Sequence, residues 1–258
     1  MGLLDGKVAV ILNITNKFSY GWGIAQSMHR EGAKLFLGYQ GERTESSTRK
    51  LAESLPCAEV IGCDVEYDDQ IDAAFAAIEH AVGGLDILVH SLAFAPTETL
   101  QGLYVDTSRE AFRKTLEISA YSLAALMQRA APLMARRGGG AALALSYLGG
   151  ERVTPGYNVM GIAKAALEMS VGYLAWDLGD RNIRVNAISG GPVSTASSRA
   201  IKGYLDMAHK VKDSAPLRRG TTIEEVGDTA AFLCSDLARG ITGEIIHVDS
   251  GFHVMGIA

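Results

Sequence analysis

The stretch that decides the fold is VAVILNITNKFSYGWGIAQSMHREGAKLFLGY, residues 8 to 39 of a chain of 258 residues. Its apolar runs Val8–Leu12 and Leu35–Tyr39 predict two buried strands, and Gly23–Gly32 between them predicts a helix that stops at a glycine. A strand, a helix and a second strand in close succession are typical of a βαβ unit, whose two strands run parallel. The stretch therefore indicates an α/β fold.

The same alternation continues to the end of the chain. Further strands are predicted at Glu59–Gly62, Asp86–His90, Ala141–Ser146, Arg184–Ile188 and Glu244–Val248. Further helices are predicted at Thr44–Ser54, Asp68–Val82, Ile118–Ala135 and Tyr157–Leu178. We therefore predict a single Rossmann-type, doubly wound domain over residues 1–258, with a seven-stranded parallel sheet flanked by helices. Ligands of such sheets bind beyond the carboxyl ends of the strands, so site residues should follow the strands.

The composition excludes several classes of protein. A net charge of −5 and a pI of about 5.7 disfavour binding to nucleic acid, which needs a concentrated basic face. The three cysteines are scattered and form no CxxC pair, which predicts buried thiols in a reducing compartment. The six histidines form no HxxH or HExxH pair, so no metal site is predicted.

The N-terminal segment Met1–Lys7 has no basic region followed by an apolar one, so it does not resemble a signal peptide. No apolar run approaches the roughly 20 residues that a membrane span requires. We therefore expect a cytoplasmic protein without a membrane segment.

The loop after the first strand, residues 13 to 23, is a candidate phosphate-binding loop. It opens a helix, whose free N–H groups and dipole favour an anion, and Gly21 and Gly23 permit a close backbone approach. The usual G-x-G-x-x-G pattern is absent, and two glycines at a helix start are equally consistent with simple turn chemistry. Both interpretations stay open from this loop alone.

Residues after the second and third strands bear on the adenosine half of a dinucleotide. Gln40 stands where an acid usually binds the ribose of NAD or an arginine binds the phosphate of NADP. An uncharged glutamine favours NADH over NADPH, although Arg43 nearby keeps NADPH possible. Asp64 follows the third strand and could instead be an acid at a helix start, but Asp68 is better placed for that role.

The most informative stretch for chemistry runs from Ser146 to Lys164. Tyr157 and Lys164 are seven residues apart, which on a helix places them on one face with a rise of about 10 Å. A tyrosine can donate to a developing oxyanion, and an ammonium can hold a ribose and favour charged neighbours. Such a pair is commonly only a ring at the core edge and a solvated charge. Its position after the strand beside the expected nicotinamide favours the catalytic interpretation.

The order of elements and the segment Arg184–Pro192 resemble the short-chain dehydrogenase/reductase superfamily. Most of its members have Tyr-x-x-x-Lys, which would need a tyrosine where this chain has Met160. The observed Tyr-x6-Lys spacing is similar to a divergent branch, the bacterial enoyl-[acyl-carrier-protein] reductases. Other segments that resemble this branch, and that extend the similarity over essentially the whole chain, are Tyr20–Gln26, Met28–Ala33, Cys63–Val65, Val89–Pro96, Ser146–Gly149 and Gly243–Gly251.

The resemblance implies reduction of the trans-2 double bond of an enoyl thioester on acyl carrier protein, in type II fatty acid synthesis with NADH. Hydride would reach the β-carbon, and Tyr157 would donate a hydrogen bond to the resulting enolate oxygen. Lys164 would bind the nicotinamide ribose hydroxyls. Tyr147 would line the substrate and is a candidate for assisting protonation. In a ketone reductase the hydride goes to the carbonyl carbon instead, so the longer spacing suits an oxyanion donor placed elsewhere.

The resemblance also implies the contacts of cofactor and substrate. Ser19 and Tyr20 would lie near the phosphates, Gln40 at the adenosine ribose, Asp64 and Val65 at the adenine, Ser91 and Leu92 along the central ribose, and Val193, Ser194, Thr195, Ala196 and Ser197 over the nicotinamide and pyrophosphate. Phe94 and Ala95 would lie by the substrate. Asn13 replaces the family's first glycine after strand one. That site often needs a positive φ, which asparagine tolerates better than other non-glycine residues, so we expect binding to survive.

A substrate lid is expected at about residues 194–212, where a small polar segment becomes amphipathic. Between Arg199 and Arg219 the chain has six cationic and two acidic side chains. This basic stretch is either a solvated helix face or a docking site that steers acidic acyl carrier protein. The family further implies a homotetramer.

Two other functions remain open from the sequence. A short-chain ketoreductase or alcohol dehydrogenase of the same superfamily is disfavoured by Met160. A nicotinamide-binding sensor without turnover is disfavoured because such proteins commonly lose the catalytic pair, whereas this chain keeps Tyr157 and Lys164.

Overall fold

Residues 2–56, 58–193 and 211–256 are described by the structure, a computed structural model. Its strands, in chain order, are β1 (Val8–Ile11), β2 (Lys34–Tyr39), β3 (Glu59–Gly62), β4 (Ile87–His90), β5 (Gly140–Ser146), β6 (Ile183–Gly190) and β7 (Ile245–Val248). They form one parallel sheet in the order β3-β2-β1-β4-β5-β6-β7. The predicted seven-stranded parallel sheet is confirmed.

The α-helices that lie wholly within the described residues are α1 (Tyr20–Arg30), α2 (Glu42–Ala52), α3 (Asp68–Val82), α4 (Arg109–Leu116), α5 (Ser122–Ala135), α6 (Val159–Leu178) and α7 (Ile223–Cys234). The prediction of one helix over Ile118–Ala135 is wrong at its start, because helical structure begins at Arg109. Ser108 sets this beginning, since its hydroxyl accepts a hydrogen bond from the backbone N–H of Ala111 at 3.1 Å. A π-helical turn, Glu117–Tyr121, joins α4 to α5.

Helix α7 had no counterpart among the predicted elements, although the sequence carries its start signal. Thr222 accepts a hydrogen bond from the N–H of Glu225, and the Glu225 carboxylate accepts one from the N–H of Thr222. This reciprocal capping box is readable as Thr-x-x-Glu before an apolar run. Cys63 and Cys234 are buried free thiols whose pKa burial raises to about 12, in agreement with the predicted buried thiols.

Helices cover both faces of the sheet. Because successive residues of a strand point to opposite faces, each strand can contribute side chains to two cores. Val8 and Val10 of β1 pack into a core with α3, α5 and α6, whereas Ala9 and Ile11 pack into a second core with α1 and α7. A strand buried on both faces reads as a continuous apolar run, which is why the sequence marked β1 clearly.

The sheet order fixes where a ligand crevice can lie. β1 pairs with β2 on one side and with β4 on the other. From β1 the chain first adds β2 and β3 on one side, and it then returns to add β4 to β7 on the other side, so the strand order reverses between β1 and β4. Doubly wound sheets bind ligands at this switch point, beyond the carboxyl ends of the strands. The predicted lid at 194–212 falls mostly on residues outside the described ones. Within the described residues, no helix combines the length and the apolar character of a membrane span.

Candidate active site

The carboxyl ends of β1 and β4 are joined by a side-chain hydrogen bond. The Asn13 amide nitrogen donates to the Ser91 carbonyl oxygen at 3.1 Å, and the Asn13 φ angle is 63°. The expected positive φ at Asn13 is therefore confirmed. Asparagine meets both needs of this position, since it tolerates the left-handed region and supplies the donor.

The N-terminus of α1 lies against the same crevice. Ser19 caps the helix by accepting a hydrogen bond from the Trp22 N–H at 3.2 Å. A Cβ on Gly21 would lie only 3.0 Å from the Ile14 and Ser91 side chains. A larger residue at this position would therefore require those two side chains to move. Gly23 has a different role, because its Cβ would meet the backbone of Ile223 at 2.3 Å. Gly21 therefore allows close approach at the crevice, and Gly23 allows α1 to pack on α7.

The Tyr20 side chain extends from the start of α1 to the end of β6. Its hydroxyl donates to the Gly191 carbonyl oxygen, and its ring lies where a Cβ of Gly190 would be. The predicted phosphate-side residues Ser19 and Tyr20 thus lie at the N-terminus of α1, and Tyr20 also contacts the residues at the end of β6.

Gln40 follows β2 and Asp64 and Val65 follow β3, so all three lie along the same edge of the sheet. The Asp64 carboxylate accepts a hydrogen bond from the Glu66 N–H at 3.1 Å, and α3 begins only at Asp68. Asp64 is therefore not an acid of the first helical turn. Val65 has its side chain buried in the core, which leaves its backbone as the part that can meet a ligand.

Lys164 is buried on α6 with its ammonium between two strand ends. The Lys164 Nζ donates to the Leu145 carbonyl oxygen at 2.6 Å and to the Leu92 carbonyl oxygen at 3.4 Å. Burial lowers the Lys164 pKa to about 8, and the nearby Glu168 carboxylate opposes this shift. An ammonium has three N–H donors, so these two bonds fix its position and leave one donor for a ligand at the crevice.

Glu168 was missed by the sequence analysis. It lies one turn after Lys164 on α6, and its carboxylate accepts a hydrogen bond from the Ser146 hydroxyl at the end of β5. Burial raises the Glu168 pKa, while the bond from Ser146 opposes that rise. The four-residue spacing from Lys164 was the only signal in the sequence, because the partner Ser146 is brought in by the sheet.

The predicted helix start at Tyr157 is wrong, and so is the placement of Tyr157 and Lys164 on one helical face. Helix α6 begins at Val159, and Tyr157 lies in the turn before it. The physical reason is Asn158, whose φ of 45° and ψ of −124° are incompatible with an α-helix. The two residues still belong to one region of the fold, but a turn and not helical periodicity sets the direction of Tyr157.

Tyr157 lies in a small apolar cluster at the start of α6. Buried Leu100, Met160 and Ala163 surround it, with half-buried Ala95, Leu116 and Tyr147 packed against them. The Tyr147 and Tyr157 rings meet edge to face, with centroids 5.0 Å apart and planes at 65°. Burial is the largest cause that raises the Tyr157 pKa, and the nearby Tyr147 and Glu168 side chains raise it further. Tyr157 therefore stays protonated at neutral pH and can act as a hydrogen-bond donor.

The two predicted substrate residues of the loop after β4 differ in their surroundings. Ala95 packs on the Tyr157 cluster, whereas Phe94 is 39% exposed. The Phe94 backbone is held by Ser119 of the π-helical turn, whose hydroxyl accepts from the Phe94 N–H at 2.9 Å and donates to the Phe94 carbonyl at 3.0 Å. Ser119 was also missed by the sequence analysis.

The crevice residues suit a dinucleotide. The N-terminus of α1 can bind a phosphate, and Gly21 in its first turn leaves no room for a side chain. The buried Lys164 ammonium lies at the carboxyl end of β5, at the same edge of the sheet. Val193 follows β6 at the same edge. The predicted residues Ser194, Thr195, Ala196 and Ser197 lie outside the described residues.

Known proteins resemble this chain over its full length. The family model described as Enoyl-(Acyl carrier protein) reductase matches residues 14–253. The chain is 51% identical to the enoyl-[acyl-carrier-protein] reductase [NADH] FabI of Bacillus cereus, over 99% of this chain and 100% of that protein. It is 50% identical to the protein of the same name from Aquifex aeolicus, over 100% of this chain and 95% of that protein.

Solved structures agree. The Bacillus cereus enoyl-acyl carrier protein reductase in complex with NADP+ and indole naphthyridinone superimposes with a TM-score of 0.97 at 50% identity and covers 100% of both chains. The Anaplasma phagocytophilum reductase in complex with NAD superimposes with a TM-score of 0.95 at 45% identity, over 99% of this chain and 97% of that one. With the parallel sheet, the buried lysine and the buried tyrosine already in place, these similarities show that the chain belongs to the enoyl-[acyl-carrier-protein] reductase family of short-chain dehydrogenases/reductases.

Proposed function

We propose that this protein reduces the trans-2 double bond of enoyl thioesters carried on acyl carrier protein, with NADH, in fatty acid synthesis. Membership of the family supports the reaction. The observation that carries the assignment to particular residues is the buried Lys164 ammonium, held by the ends of β4 and β5, on the helix that follows the protonated Tyr157.

Tyr157 supplies the hydrogen bond that the reaction needs. NADH, when bound, provides a hydride for the β-carbon of the substrate. The electrons of the double bond then move towards the thioester, and negative charge develops on its oxygen. A neutral phenol in an apolar cluster is suited to donate to that oxygen, because a donor is more effective where water is excluded.

Lys164 and Tyr147 have supporting roles in this proposal. Lys164 binds the nicotinamide ribose hydroxyls through the N–H group that does not donate to the Leu145 or Leu92 carbonyl oxygen. Tyr147 lines the substrate beside Tyr157, where the ring contact holds both side chains. Tyr147 is also a candidate for assisting protonation of the α-carbon.

The remaining contacts of the cofactor follow the strand ends. We assign Asn13, Ser19 and Tyr20 to the pyrophosphate side, Gln40, Asp64 and Val65 to the adenosine, and Ser91 and Leu92 to the central ribose. Residues 193–197 are assigned to the nicotinamide side, and Phe94 and Ala95 to the substrate. The uncharged Gln40 favours NADH over NADPH because it offers no charge to a ribose phosphate.

The partners in this proposal are acyl carrier protein and further copies of the chain. Residues 1–258 would act as one domain in a cytoplasmic homotetramer, with a substrate lid at about 194–212. One face of α6 supports self-association, because Ile162, Met169, Tyr173 and Trp176 are 42%, 65%, 68% and 84% exposed at helical spacing. Such a face suits contact with another protein surface. The molar mass of the protein in solution would test the tetramer.

The function is tested by following the nicotinamide absorbance with crotonyl thioester, using NADH and NADPH in parallel. We expect oxidation of NADH by the crotonyl thioester and little by an acetoacetyl thioester. A preference for the acetoacetyl substrate would instead support a short-chain ketoreductase. Binding of NADH without turnover of either substrate would support a nicotinamide-binding sensor.

Replacement of Asn13 by valine should weaken NADH binding. A β-branched residue is strained at a φ of 63°, and valine cannot donate to Ser91. We expect a rise in the Kd for NADH of about tenfold, measured by fluorescence titration, from strain of about 1–3 kcal/mol. The control is Asn13→Gly, which keeps the backbone angle and should bind more tightly than Asn13→Val. A Kd for Asn13→Val equal to that of the unaltered protein would contradict this explanation.

NADH affinity should also depend on pH through Lys164. Because the Lys164 pKa is lowered to about 8, the ammonium is present below that pH and is lost as pH rises through it. We therefore expect the Kd for NADH to increase above about pH 8 and to be nearly constant below it. In Lys164→Met the same titration should show no such step. A step of equal size in that variant would assign the pH dependence to another group.

A further inference from the structure

We propose that Asn158 is a positioning residue that connects Tyr157 to the wall of the acyl-chain site, so that its loss impairs the reduction of long acyl substrates more than that of short ones. The inference rests on the proposed function. It depends on two independent properties of Asn158, its backbone conformation and its side-chain contacts.

The backbone of Asn158 determines how Tyr157 enters the site. The Met160 N–H donates to the Tyr157 carbonyl at 3.0 Å, which closes a tight turn with Asn158 at its first central position. The φ of 45° and ψ of −124° correspond to a type II′ turn, where glycine, asparagine and aspartate are favoured. Glycine could therefore replace Asn158 without altering the direction of the Tyr157 side chain.

The side chain of Asn158 has a separate task. Its amide nitrogen donates to the Thr99 carbonyl at 2.8 Å and to the Gly102 carbonyl at 2.9 Å. Both N–H groups of the amide are thus used on one segment, residues 97–102. This segment contains a short 3-10 helix, Thr97–Leu100, and follows the loop that carries Phe94 and Ala95.

The segment held by Asn158 forms part of the wall around Tyr157. Leu100, between the two bonded carbonyls, is 7% exposed and packs in the same apolar cluster as Tyr157 and Met160. A thioester oxygen bonded to Tyr157 places the attached acyl chain next to this cluster. Loss of the Asn158 amide should therefore loosen the wall more than it disturbs Tyr157, and a longer acyl chain should suffer more.

The experiment compares Asn158→Gly with the unaltered protein on two coenzyme A thioesters, crotonyl and trans-2-dodecenoyl. The variant keeps the turn and removes both donors. We expect kcat/KM to fall roughly tenfold for the dodecenoyl substrate and less than about threefold for crotonyl, in line with two lost hydrogen bonds. The Kd for NADH should not change. Hydrogen exchange of residues 97–102 should become faster, and this measurement does not depend on activity.

Two further variants make the result specific. Asn158→Asp keeps the shape but presents acceptors to two carbonyl oxygens, so its loss of selectivity should equal or exceed that of Asn158→Gly. Asn182→Gly is the matched control, because Asn182 has a φ of 56° and its amide donates to the Gly138 carbonyl at 2.9 Å, before β6 at the opposite edge of the sheet. It should leave the ratio of the two kcat/KM values unchanged.

The outcomes separate this inference from the proposed function. A dodecenoyl-to-crotonyl ratio of kcat/KM in Asn158→Gly within about twofold of the unaltered value would overturn the role of Asn158, whatever the hydrogen exchange shows. An unaltered protein that oxidises NADH with neither thioester would overturn the proposed function instead. In that case, unchanged hydrogen exchange of residues 97–102 in Asn158→Gly would overturn the anchoring by Asn158 as well.

Discussion

Replacement of Tyr157 by phenylalanine is expected to lower kcat for enoyl thioester reduction by about 10²- to 10³-fold, the usual cost of removing one oxyanion donor. Phenylalanine keeps the ring, so the packing with Leu100 and Met160 and the edge-to-face contact with Tyr147 are preserved. Only the hydroxyl is lost. The Kd for NADH should be unchanged, because Tyr157 is assigned to the substrate and not to the cofactor.

Tyr147→Phe is the matched control for this experiment, since it removes the same hydroxyl from the ring that packs against Tyr157. Stopped-flow measurement of NADH oxidation would give kcat for both variants, and thermal unfolding would show that each remains folded. We expect the smaller loss for Tyr147→Phe. A larger loss for Tyr147→Phe than for Tyr157→Phe would transfer the role of oxyanion donor to Tyr147.

Replacement of Lys164 by methionine should weaken NADH binding by about 10- to 100-fold. Methionine has a similar length and shape but no charge and no donor. The change removes a charge-assisted contact to the cofactor, worth about 1.5–3 kcal/mol, and leaves the Leu145 and Leu92 carbonyl oxygens without their donor. We expect kcat/KM to fall at least as far as the affinity, because the nicotinamide is no longer held in one position.

Lys34→Met is the control for Lys164→Met. Lys34 is the first residue of β2 and lies at the amino end of the strand, away from the crevice at the carboxyl ends. It forms an ion pair with Glu59 on the surface, with 41% of its side chain exposed. Its replacement should leave the fluorescence titration with NADH unchanged. Normal NADH affinity in a folded Lys164→Met protein would show that Lys164 is not a cofactor ligand.

The sequence was most informative where apolar runs or helical periodicity mark an element clearly. The bounds of β3 and α3 are those that the pattern predicts, and the alternation of strands and helices was sufficient for the parallel sheet. The positive φ at Asn13 was expected from the resemblance, because Asn13 replaces the family's first glycine after strand one and asparagine tolerates that conformation. The bounds of the elements and their alternation depend on periodicity, which a single sequence records.

The errors have a common physical origin in tertiary contacts and special backbone angles. Nothing in the spacing of Tyr157 and Lys164 indicates that Asn158 interrupts the helix, although Pro155 and Gly156 just before it favour a turn. Glu168 and Ser119 gained their roles from Ser146 and from the Phe94 backbone, which the fold brings from other elements. Such pairings are not recorded in local sequence.

The correction at Tyr157 changes the reason for its function. If Tyr157 lay on the same helical face as Lys164, helical geometry alone would set the direction of its side chain relative to Lys164. The turn instead makes that direction a property of Asn158 and of the segment it holds. The distance in sequence between Tyr157 and Lys164 therefore serves as a marker of the family, while the geometry of the site is set by the turn.

The most direct test of the central claim is a single turnover with NADH deuterated at the transferred position and crotonyl thioester, with the product examined by mass spectrometry and NMR. We predict one saturated thioester for each NADH oxidised, with the deuterium on its β-carbon, and a rate that falls by the stated factor in Tyr157→Phe. Deuterium at the carbonyl carbon, or oxidation of NADH that occurs only with a ketone substrate, would contradict the assignment of this protein as an enoyl thioester reductase.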